Sequence, residues 1–235
     1  MSLPVAVLAG GMATRLRPLT AQTPKILLDI DGRPFAEHQL ELLRRAGITN
    51  VVYCLGYLSD QVQAALGDGA RWGMTFSYVL DGPHPLGTGG AIKAALPHLG
   101  AAFFVMYGDS YLRCDYGAVE ASFRASGKQG LMTVFRNEGR WDKSNVAFER
   151  GQVVRYEKSS DDPALTYIDY GLGVLTPAAF ASRIGNDAFD LSAVYQDLIA
   201  KRELAGFEVP ERFYEIGSIE GLEELRRELR ANASR

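Results

Sequence analysis

Residues 5–25 read VAVLAGGMATRLRPLTAQTPK and carry the clearest structural signal in the chain. Residues 5–8 form a short, continuous apolar run that is typical of a buried strand in a parallel sheet, and Ala-Gly-Gly follows directly. Because glycine lets the backbone approach a ligand closely, the N–H groups of the following loop can surround phosphate oxygens. Arg15, Arg17 and Lys25 add the positive charge that a triphosphate requires. The stretch therefore predicts a strand followed by an anion-binding loop.

Strand-like and helix-like segments alternate through the rest of the first half. The predicted helices are residues 34–46, 61–66 and 90–96, and the further predicted strands are residues 51–55, 75–80 and 102–106. Strands separated by helices form βαβ units, in which a parallel sheet carries helices on both faces. We therefore predict an α/β fold with a mixed, mostly parallel sheet and helices on both faces.

The second half has a less regular pattern. The predicted strands are residues 130–135 and 169–175, and residues 146–149 and 153–157 are predicted to form a hairpin. The predicted helices are residues 119–125, 191–201 and 219–229. We find no internal repeat, low-complexity stretch or Pro/Ser-rich linker. A single domain over residues 1–235 is therefore the simplest prediction.

Composition excludes several classes of partner. With 25 Lys+Arg and 28 Asp+Glu the formal net charge is −3, whereas non-specific nucleic-acid binding needs a basic excess. No window approaches the ~18 apolar residues of a membrane span, and the first residues lack the basic flank of a signal peptide. Cys54 and Cys114 form neither a disulfide framework nor a CxxC metal motif. We expect a cytoplasmic protein without nucleic-acid or membrane partners.

Other catalytic motifs fit poorly. The chain has no GxxxxGK[ST] phosphate-binding loop, and residues 87–92, GTGGAI, lack the third glycine of a dinucleotide fingerprint. A serine hydrolase built on Ser110 would need a histidine late in the chain, and none follows His98. Asp29 and Asp31 form a DxD, the metal motif of many glycosyltransferases, but a turn before Gly32-Arg33-Pro34 is the favoured interpretation.

Residues 8–25, LAGGMATRLRPLTAQTPK, resemble the signature LAGGxGTRLxPLTxxxPK of the sugar-1-phosphate nucleotidyltransferases, also called NDP-sugar pyrophosphorylases. The similarity continues in the family's order through PLGTGGAI (85–92), VMYGDS (105–110), YEKS (156–159), YIDYG (167–171) and YEIGS (214–218). The resemblance implies a Rossmann-like, GT-A-like nucleotidyltransferase fold. It also implies the reaction of an NTP with a sugar-1-phosphate to give an NDP-sugar and pyrophosphate, for polysaccharide or cell-envelope sugar synthesis.

The same resemblance assigns residues to roles, with a nucleotide-binding half at about 1–115 and a sugar-phosphate half at about 116–235. The nucleotide-binding residues are Leu8, Ala9, Gly10, Gly11, Met12, Ala13, Thr14, Gly87, Thr88, Gly89 and Gly90. Arg15 neutralises the leaving pyrophosphate, and Lys25 bridges the α-phosphate and the incoming sugar phosphate. The sugar-phosphate residues are Glu157, Lys158, Asp169, Tyr170 and Gly171. Asp109, a catalytic residue with Arg15 and Lys25, holds Mg²⁺ together with Glu215.

Two positions depart from the family pattern. Ala13 replaces the usual glycine before Thr-Arg, and a positive φ there would cost alanine roughly 1 kcal/mol. Glu215 replaces the usual aspartate but offers the same oxygens one methylene further out. Two alternatives remain open: a GT-A glycosyltransferase that uses an NDP-sugar, and a non-catalytic regulatory paralogue.

The base and the oligomeric state are predicted from the same resemblance. Ile26 stands where thymidylyltransferases of the family carry glutamine, and LGTGGA is similar to the loop of guanylyltransferases for mannose- or heptose-1-phosphate. It is also similar to the loop of short uridylyltransferases for N-acetylmuramate-1-phosphate, and we favour GTP. Because no β-helix domain of the longer relatives follows Arg235, a homo-oligomer would form through the core itself.

Overall fold

A computed structural model describes residues 2–185 and 187–233. Its helices are α1 (Phe35–Arg45), α2 (Ser59–Leu66), α3 (Gly87–Ala95), α4 (Tyr116–Ser126), α5 (Ser192–Ala200) and α6 (Ile219–Ala233). Its strands are β1 (Val5–Leu8), β2 (Asp29–Ile30), β3 (Arg33–Pro34), β4 (Asn50–Leu55), β5 (Thr75–Leu80), β6 (Phe103–Tyr107), β7 (Ser110–Tyr111), β8 (Gly130–Arg136), β9 (Val146–Glu149), β10 (Gln152–Tyr156), β11 (Tyr167–Leu175), β12 (Leu204–Glu208) and β13 (Tyr214–Glu215).

One mixed sheet contains nine of the strands found among the described residues, in the order β5-β4-β1-β6-β11-β8-β12-β10-β9. The first four in this order are parallel, as predicted, and β12 is parallel to β8. β11 is antiparallel to both β6 and β8. The mixed α/β sheet is confirmed, and its parallel pairing is concentrated in the first half of the chain. The functional division near residue 115 stays a prediction, since the one sheet includes strands from both sides of it.

Two hydrophobic clusters cover the two faces of this sheet. Alternate side chains of β1 point to opposite faces, as strand geometry requires, so Val5 and Val7 belong to one cluster and Ala6 to the other. α1, α2, α4 and α6 pack into the first cluster, whereas α3 and α5 pack into the second. The prediction of helices on both faces is therefore confirmed.

The structure differs from the sequence prediction at one helix and at one strand of the main sheet. α3 begins at Gly87 rather than at residue 90, so three glycines lie in its first turn. β12 was not predicted, because its short sequence, LAGFE, has no clear alternation and contains a glycine. The hairpin of β9 and β10 is confirmed.

The DxD segment forms a structural turn. Asp29 and Asp31 lie in the two-stranded hairpin of β2 and β3, and the Asp29 carboxylate accepts the Gly32 N–H at 3.2 Å. Arg230 of α6 pairs with the Asp31 carboxylate and lowers its pKa. The predicted turn is confirmed, and the Asp31 carboxylate and the Asp29 carbonyl hold α6 through Arg230 and Arg226.

No helix among residues 2–185 and 187–233 combines the length and the apolar character that crossing a membrane would require.

Candidate active site

A cavity of about 290 Å³ opens at the carboxyl ends of the parallel strands β1, β4, β5 and β6. This is the edge at which open α/β sheets bind ligands. Predicted nucleotide and catalytic residues that line it are Leu8, Ala9, Gly10, Gly11, Ala13, Lys25, Gly87, Thr88 and Asp109. Met12, Thr14, Arg15, Gly89 and Gly90 lie outside this lining.

Close backbone contact explains the first glycine of the loop. A Cβ on Gly10 would lie 3.1 Å from the Gly56 nitrogen, and a Cβ on Gly56 would lie 2.7 Å from the Gly10 oxygen. The loops after β1 and β4 can therefore approach only because both positions are glycine. A Cβ on Gly11 would meet nothing within 4 Å, so its open surroundings leave room for a ligand against the backbone.

Ala13 adopts the left-handed conformation that the family pattern implies, with φ 46° and ψ 45°. Its carbonyl oxygen accepts the Thr20 hydroxyl at 2.8 Å and the Leu16 N–H at 3.1 Å. These hydrogen bonds hold the loop in a conformation that costs an alanine roughly 1–2 kcal/mol. The loop geometry is therefore kept despite the missing glycine.

We expect Ala13→Gly to raise stability by about 1 kcal/mol and to change turnover less than about tenfold, because glycine removes the Cβ strain and keeps both carbonyl hydrogen bonds. Thermal melting and pyrophosphate release would measure the two effects. If the wild type is inactive with every NTP and sugar-1-phosphate while the glycine variant is active, the chain is a disabled relative.

Lys25 and Asp109 form an ion pair in the cavity. Lys25 Nζ lies 2.7 Å from Asp109 Oδ2, and both side chains are mostly buried. Asp109 follows β6 directly, and Lys25 begins the short helical turn Lys25–Leu27. A cation and a carboxylate from distant parts of the sequence are thereby held together in the cavity lining.

Glu215 is brought beside this pair by the small ladder of β13 and β7. Glu215 is directly opposite Ser110, and the Ile216 N–H donates to the Asp109 carbonyl at 2.9 Å. The carboxylate faces the cleft: desolvation and the nearby Asp109 carboxylate raise the pKa of Glu215 to about 7. Two carboxylates from residues 106 positions apart therefore share one site.

Arg15 lies across from Glu215 rather than in the cavity lining. Its Nη2 is 3.6 Å from the position that a Cβ on Gly217 would take, and both residues line a neighbouring hollow with Glu215. The side chain is exposed and makes no ion pair with any described residue. Of the predicted catalytic residues, Lys25 and Asp109 thus line the cavity, whereas Arg15 lines the neighbouring hollow.

The second glycine-rich segment is packed beneath residues 187–191. A Cβ on Gly87 would lie 2.5 Å from the Phe189 oxygen, and one on Gly89 would lie 2.3 Å from the Phe189 ring. The Gly89 and Gly90 N–H groups both donate to the Phe189 carbonyl. Gly87 and Thr88 line the cavity. Gly89 and Gly90 are buried and contact residues 187–191 rather than the cavity.

Asp169, which was predicted to contact the sugar phosphate, lies at an irregularity in β11. The pairing of β11 with β8 shifts register between Asp169 and Gly173, and Gly171 has φ +94°. The Asp169 carboxylate accepts the Gly171 N–H at 3.0 Å and the Tyr156 hydroxyl at 3.3 Å. Burial raises the pKa of Asp169. The two hydrogen bonds hold this carboxyl group at the irregularity, and such irregularities are common beside functional sites.

The remaining predicted sugar-phosphate residues differ in accessibility. Lys158 Nζ forms an ion pair with Asp190, and Glu157 forms one with Arg155 at 2.7 Å. The Tyr170 side chain is fully buried in the core, and its hydroxyl donates to the Arg113 carbonyl at 3.2 Å. Lys158 and Glu157 can therefore reach a ligand, while the Tyr170 ring supports the strand from behind.

Two carboxylates at the cleft were not predicted. Asp81 follows β5 and lines the cavity, so the rule that singled out Asp109 after β6 could have found it. Asp190 precedes α5 and contacts both Thr88 and Lys158. Only its helix-capping position, two residues before Ser192, was visible in the sequence.

A model of the family described as "Nucleotidyl transferase" matches residues 5–231. The chain belongs to the nucleotidyl transferase family.

Similar proteins are named for different nucleotides. The N-acetylmuramate alpha-1-phosphate uridylyltransferase of Neisseria meningitidis serogroup B is 41% identical over 113 residues, 48% of this chain and 49% of that protein. A glucose-1-phosphate thymidylyltransferase of Streptomyces griseus is 34% identical over 177 residues, 73% of this chain and 49% of that protein. The chain thus matches about half the length of these curated relatives.

The fold agrees with that of a solved relative. HddC from Yersinia pseudotuberculosis, in a crystal structure with GMP-PN, superimposes with a TM-score of 0.79 at 23% identity, covering 97% of this chain and 99% of that one. The predicted Rossmann-like nucleotidyltransferase fold is confirmed.

Proposed function

We propose that the chain transfers a nucleotidyl group from an NTP to a sugar-1-phosphate. The observation that carries this proposal is the Lys25–Asp109 pair, with Nζ and Oδ2 2.7 Å apart, at one end of a cavity lined by glycine backbone. Two polyanions must meet for this reaction, so their repulsion is the main obstacle. Positioned cations at the point of charge build-up reduce that obstacle without a covalent enzyme intermediate.

The proposed step is an in-line displacement at the α-phosphorus. An oxygen of the sugar phosphate forms the new P–O bond, and the bond from the α-phosphorus to the bridging oxygen breaks, releasing pyrophosphate. The nucleophile is already an anion, so no side chain needs to remove a proton. We assign Lys25, which lines the cavity, to the α-phosphate and the incoming phosphate, and Arg15, which lines the neighbouring hollow, to the departing pyrophosphate.

Asp109 and Glu215 fit a magnesium site. Magnesium takes hard oxygen ligands, usually one or two carboxylates together with phosphate oxygens and water. Desolvation and the nearby Asp109 carboxylate raise the pKa of Glu215 to about 7, and a bound cation would oppose both effects. When bound, Mg²⁺ would supply Lewis-acid charge neutralisation at the phosphates.

A screen of four NTPs against a panel of sugar-1-phosphates tests the reaction. We expect pyrophosphate release that depends on both substrates. Transfer of sugar from an NDP-sugar to an acceptor, without pyrophosphate, would instead support the glycosyltransferase alternative. That alternative has lost its main support, because Asp31 is paired with Arg230. The regulatory paralogue predicts no turnover with any pair.

We further infer that the preferred nucleotide is GTP. The LGTGGA loop favours this base, and Asp81 gives independent support from the cavity wall. Asp81 follows β5, and Asp109 follows β6. With β4 and β1 between them, these two residues are about 14 Å apart at ~4.8 Å per strand. An extended nucleoside monophosphate can bridge such a span, which assigns Asp81 to the base end.

A carboxylate at the base end suits guanine better than the other bases. Guanine presents two adjacent donors, N1–H and the N2 amino group, and a carboxylate can accept both. Uracil and thymine present one donor between two carbonyls, which a carboxylate repels. Burial raises the pKa of Asp81, while a hydrogen bond from the Leu86 N–H opposes that shift and favours the ionised acceptor.

We expect Asp81→Asn to lower the preference for GTP over UTP at least tenfold, measured as the ratio of kcat/KM values. The amide can donate to a uracil carbonyl, whereas it loses one of the two acceptors for guanine; a good bidentate pair contributes about 1–3 kcal/mol. Asp60→Asn, an exposed change on α2, is the matched control and leaves the ratio unchanged. A wild-type preference for UTP or dTTP contradicts the assignment of GTP.

A further inference from the structure

Asp190 connects the nucleotide-binding segment with Lys158. Lys158 Nζ lies 2.7 Å from Asp190 Oδ1 and 2.8 Å from Oδ2, so the carboxylate holds the ammonium with both oxygens. The Thr88 hydroxyl donates to Asp190 Oδ2 at 3.2 Å. Thr88 lines the nucleotide cavity, whereas Lys158 follows β10 on the sugar-phosphate side. One carboxylate therefore contacts both substrate sides.

The position of Asp190 is fixed relative to the cavity by its neighbours. The Leu191 N–H donates to the Thr88 hydroxyl at 2.8 Å, and the Phe189 N–H donates to the Leu86 carbonyl at 3.0 Å. The Phe189 carbonyl in turn accepts the Gly89 N–H at 2.9 Å. Displacement of the nucleotide-binding segment would therefore move Asp190 with it.

The Asp190 carboxylate stays ionised over the neutral pH range. Burial opposes ionisation of Asp190, but hydrogen bonds from Lys158 and Ser192 outweigh it and lower the pKa of Asp190 to about 2. The two side chains are 40% and 48% exposed, so a phosphate can reach the ammonium from solvent. An ammonium has three N–H donors, and two contacts to Asp190 leave one for a further anion.

We propose that Asp190 is a positioning residue that couples the nucleotide and sugar-phosphate sites. It holds Lys158 in a defined place for the sugar phosphate and attaches that lysine to the segment that lines the nucleotide cavity. A long, flexible lysine that is already ordered loses less conformational entropy when its ligand binds. This inference rests on the proposed function, in which Lys158 contacts the sugar phosphate.

Asp190→Asn tests the coupling with little risk to the fold. Asparagine keeps an acceptor for the Ser192 N–H at the start of α5, and it removes the charge that holds Lys158 together with the oxygen that accepts the Thr88 hydroxyl. With GTP as donor and mannose 1-phosphate, heptose 1-phosphate or N-acetylmuramate 1-phosphate as acceptor, we expect the KM of the acceptor to rise at least tenfold. The kcat is expected to stay within about threefold, a split that general destabilisation would not produce. Thermal melting confirms that the variant is folded.

Asp197→Asn is the matched control. Asp197 lies on α5 and pairs with Arg183 at 2.6 Å, outside the cavity lining. Its replacement removes a similar ion pair from α5, the helix that follows Asp190, and leaves the acceptor KM unchanged.

A double-mutant cycle with Lys158→Met decides whether Asp190 acts through Lys158. If it does, Asp190→Asn has no further effect on acceptor KM in the Lys158→Met background. Additive effects, or a fall in acceptor KM for Asp190→Asn alone, would overturn the proposal; the fall would mean that Asp190 competes with phosphate for the lysine. A wild type inactive with the whole panel would instead overturn the proposed function itself.

Discussion

Asp109→Asn is expected to lower turnover at least ~10³-fold, equivalent to ~4 kcal/mol in the activation barrier. The substitution keeps the shape of the side chain but removes the negative charge that pairs with Lys25 and, with Glu215, forms the proposed magnesium site. Asp109→Ala is expected to lose as much. Steady-state pyrophosphate release at saturating Mg²⁺ measures the loss, and thermal melting confirms that the fold survives.

The control for this experiment is Asp31→Asn, which removes one carboxylate of the DxD turn. Asparagine tolerates the left-handed backbone of Asp31, φ 51°, so the hairpin can persist. We expect near wild-type turnover, because Asp31 is paired with Arg230 on α6. Full activity of the wild type in excess chelator would refute the metal assignment. Loss of activity in Asp31→Asn but not in Asp109→Asn would instead support the DxD as the metal-binding motif.

Lys25→Ala and Arg15→Ala are each expected to lower turnover about 10²-fold or more, with a much smaller effect on nucleotide affinity. Both cations are assigned to charge that develops during transfer, so their removal affects the transition state more than the bound ground state. Single-turnover rates and equilibrium nucleotide binding, measured on the same variants, separate the two effects.

Arg45→Ala serves as the matched control, because Arg45 is an exposed cation that pairs with Glu41 on α1. It is expected to leave both rate and affinity unchanged. Near wild-type turnover in both Lys25→Ala and Arg15→Ala would move the reaction centre elsewhere. If nucleotide affinity fell as much as turnover did, the two residues would bind the ground state rather than the transition state.

Most of the cavity could be predicted from the sequence because its chemistry lies in consecutive residues. Gly10, Gly11, Ala13 and Lys25 follow one strand within a single loop, and Asp109 directly follows another. The carboxyl ends of parallel strands meet at one edge, so local pattern and strand direction together suffice. Even the departure at Ala13 was interpretable, since the observed φ of 46° is the conformation that the missing glycine implied.

The contacts between residues 187–191 and the cavity could not be predicted from any local sequence pattern. Nothing in residues 187–191 indicates that Phe189 packs on Gly87 and Gly89, or that Asp190 thereby reaches both Thr88 and Lys158. Tyr170 illustrates the converse, since it lies in a well-matched motif but its ring faces the core.

The sequence by itself determined the alternating first half, the glycine-rich loop after β1 and the types of residue that line the cavity. Each of these features depends on residues that are close together in the sequence. Apolar runs form buried strands, glycines allow the backbone to turn, and polar residues follow the ends of strands. Tertiary structure alone decided that β11 inserts antiparallel between β6 and β8, and that the β13–β7 ladder carries Glu215 to Asp109. The physical reason is that pairing between distant segments depends on which strand edges and packing sites remain free after local folding. The periodicity of the sequence does not show which edges and sites these are.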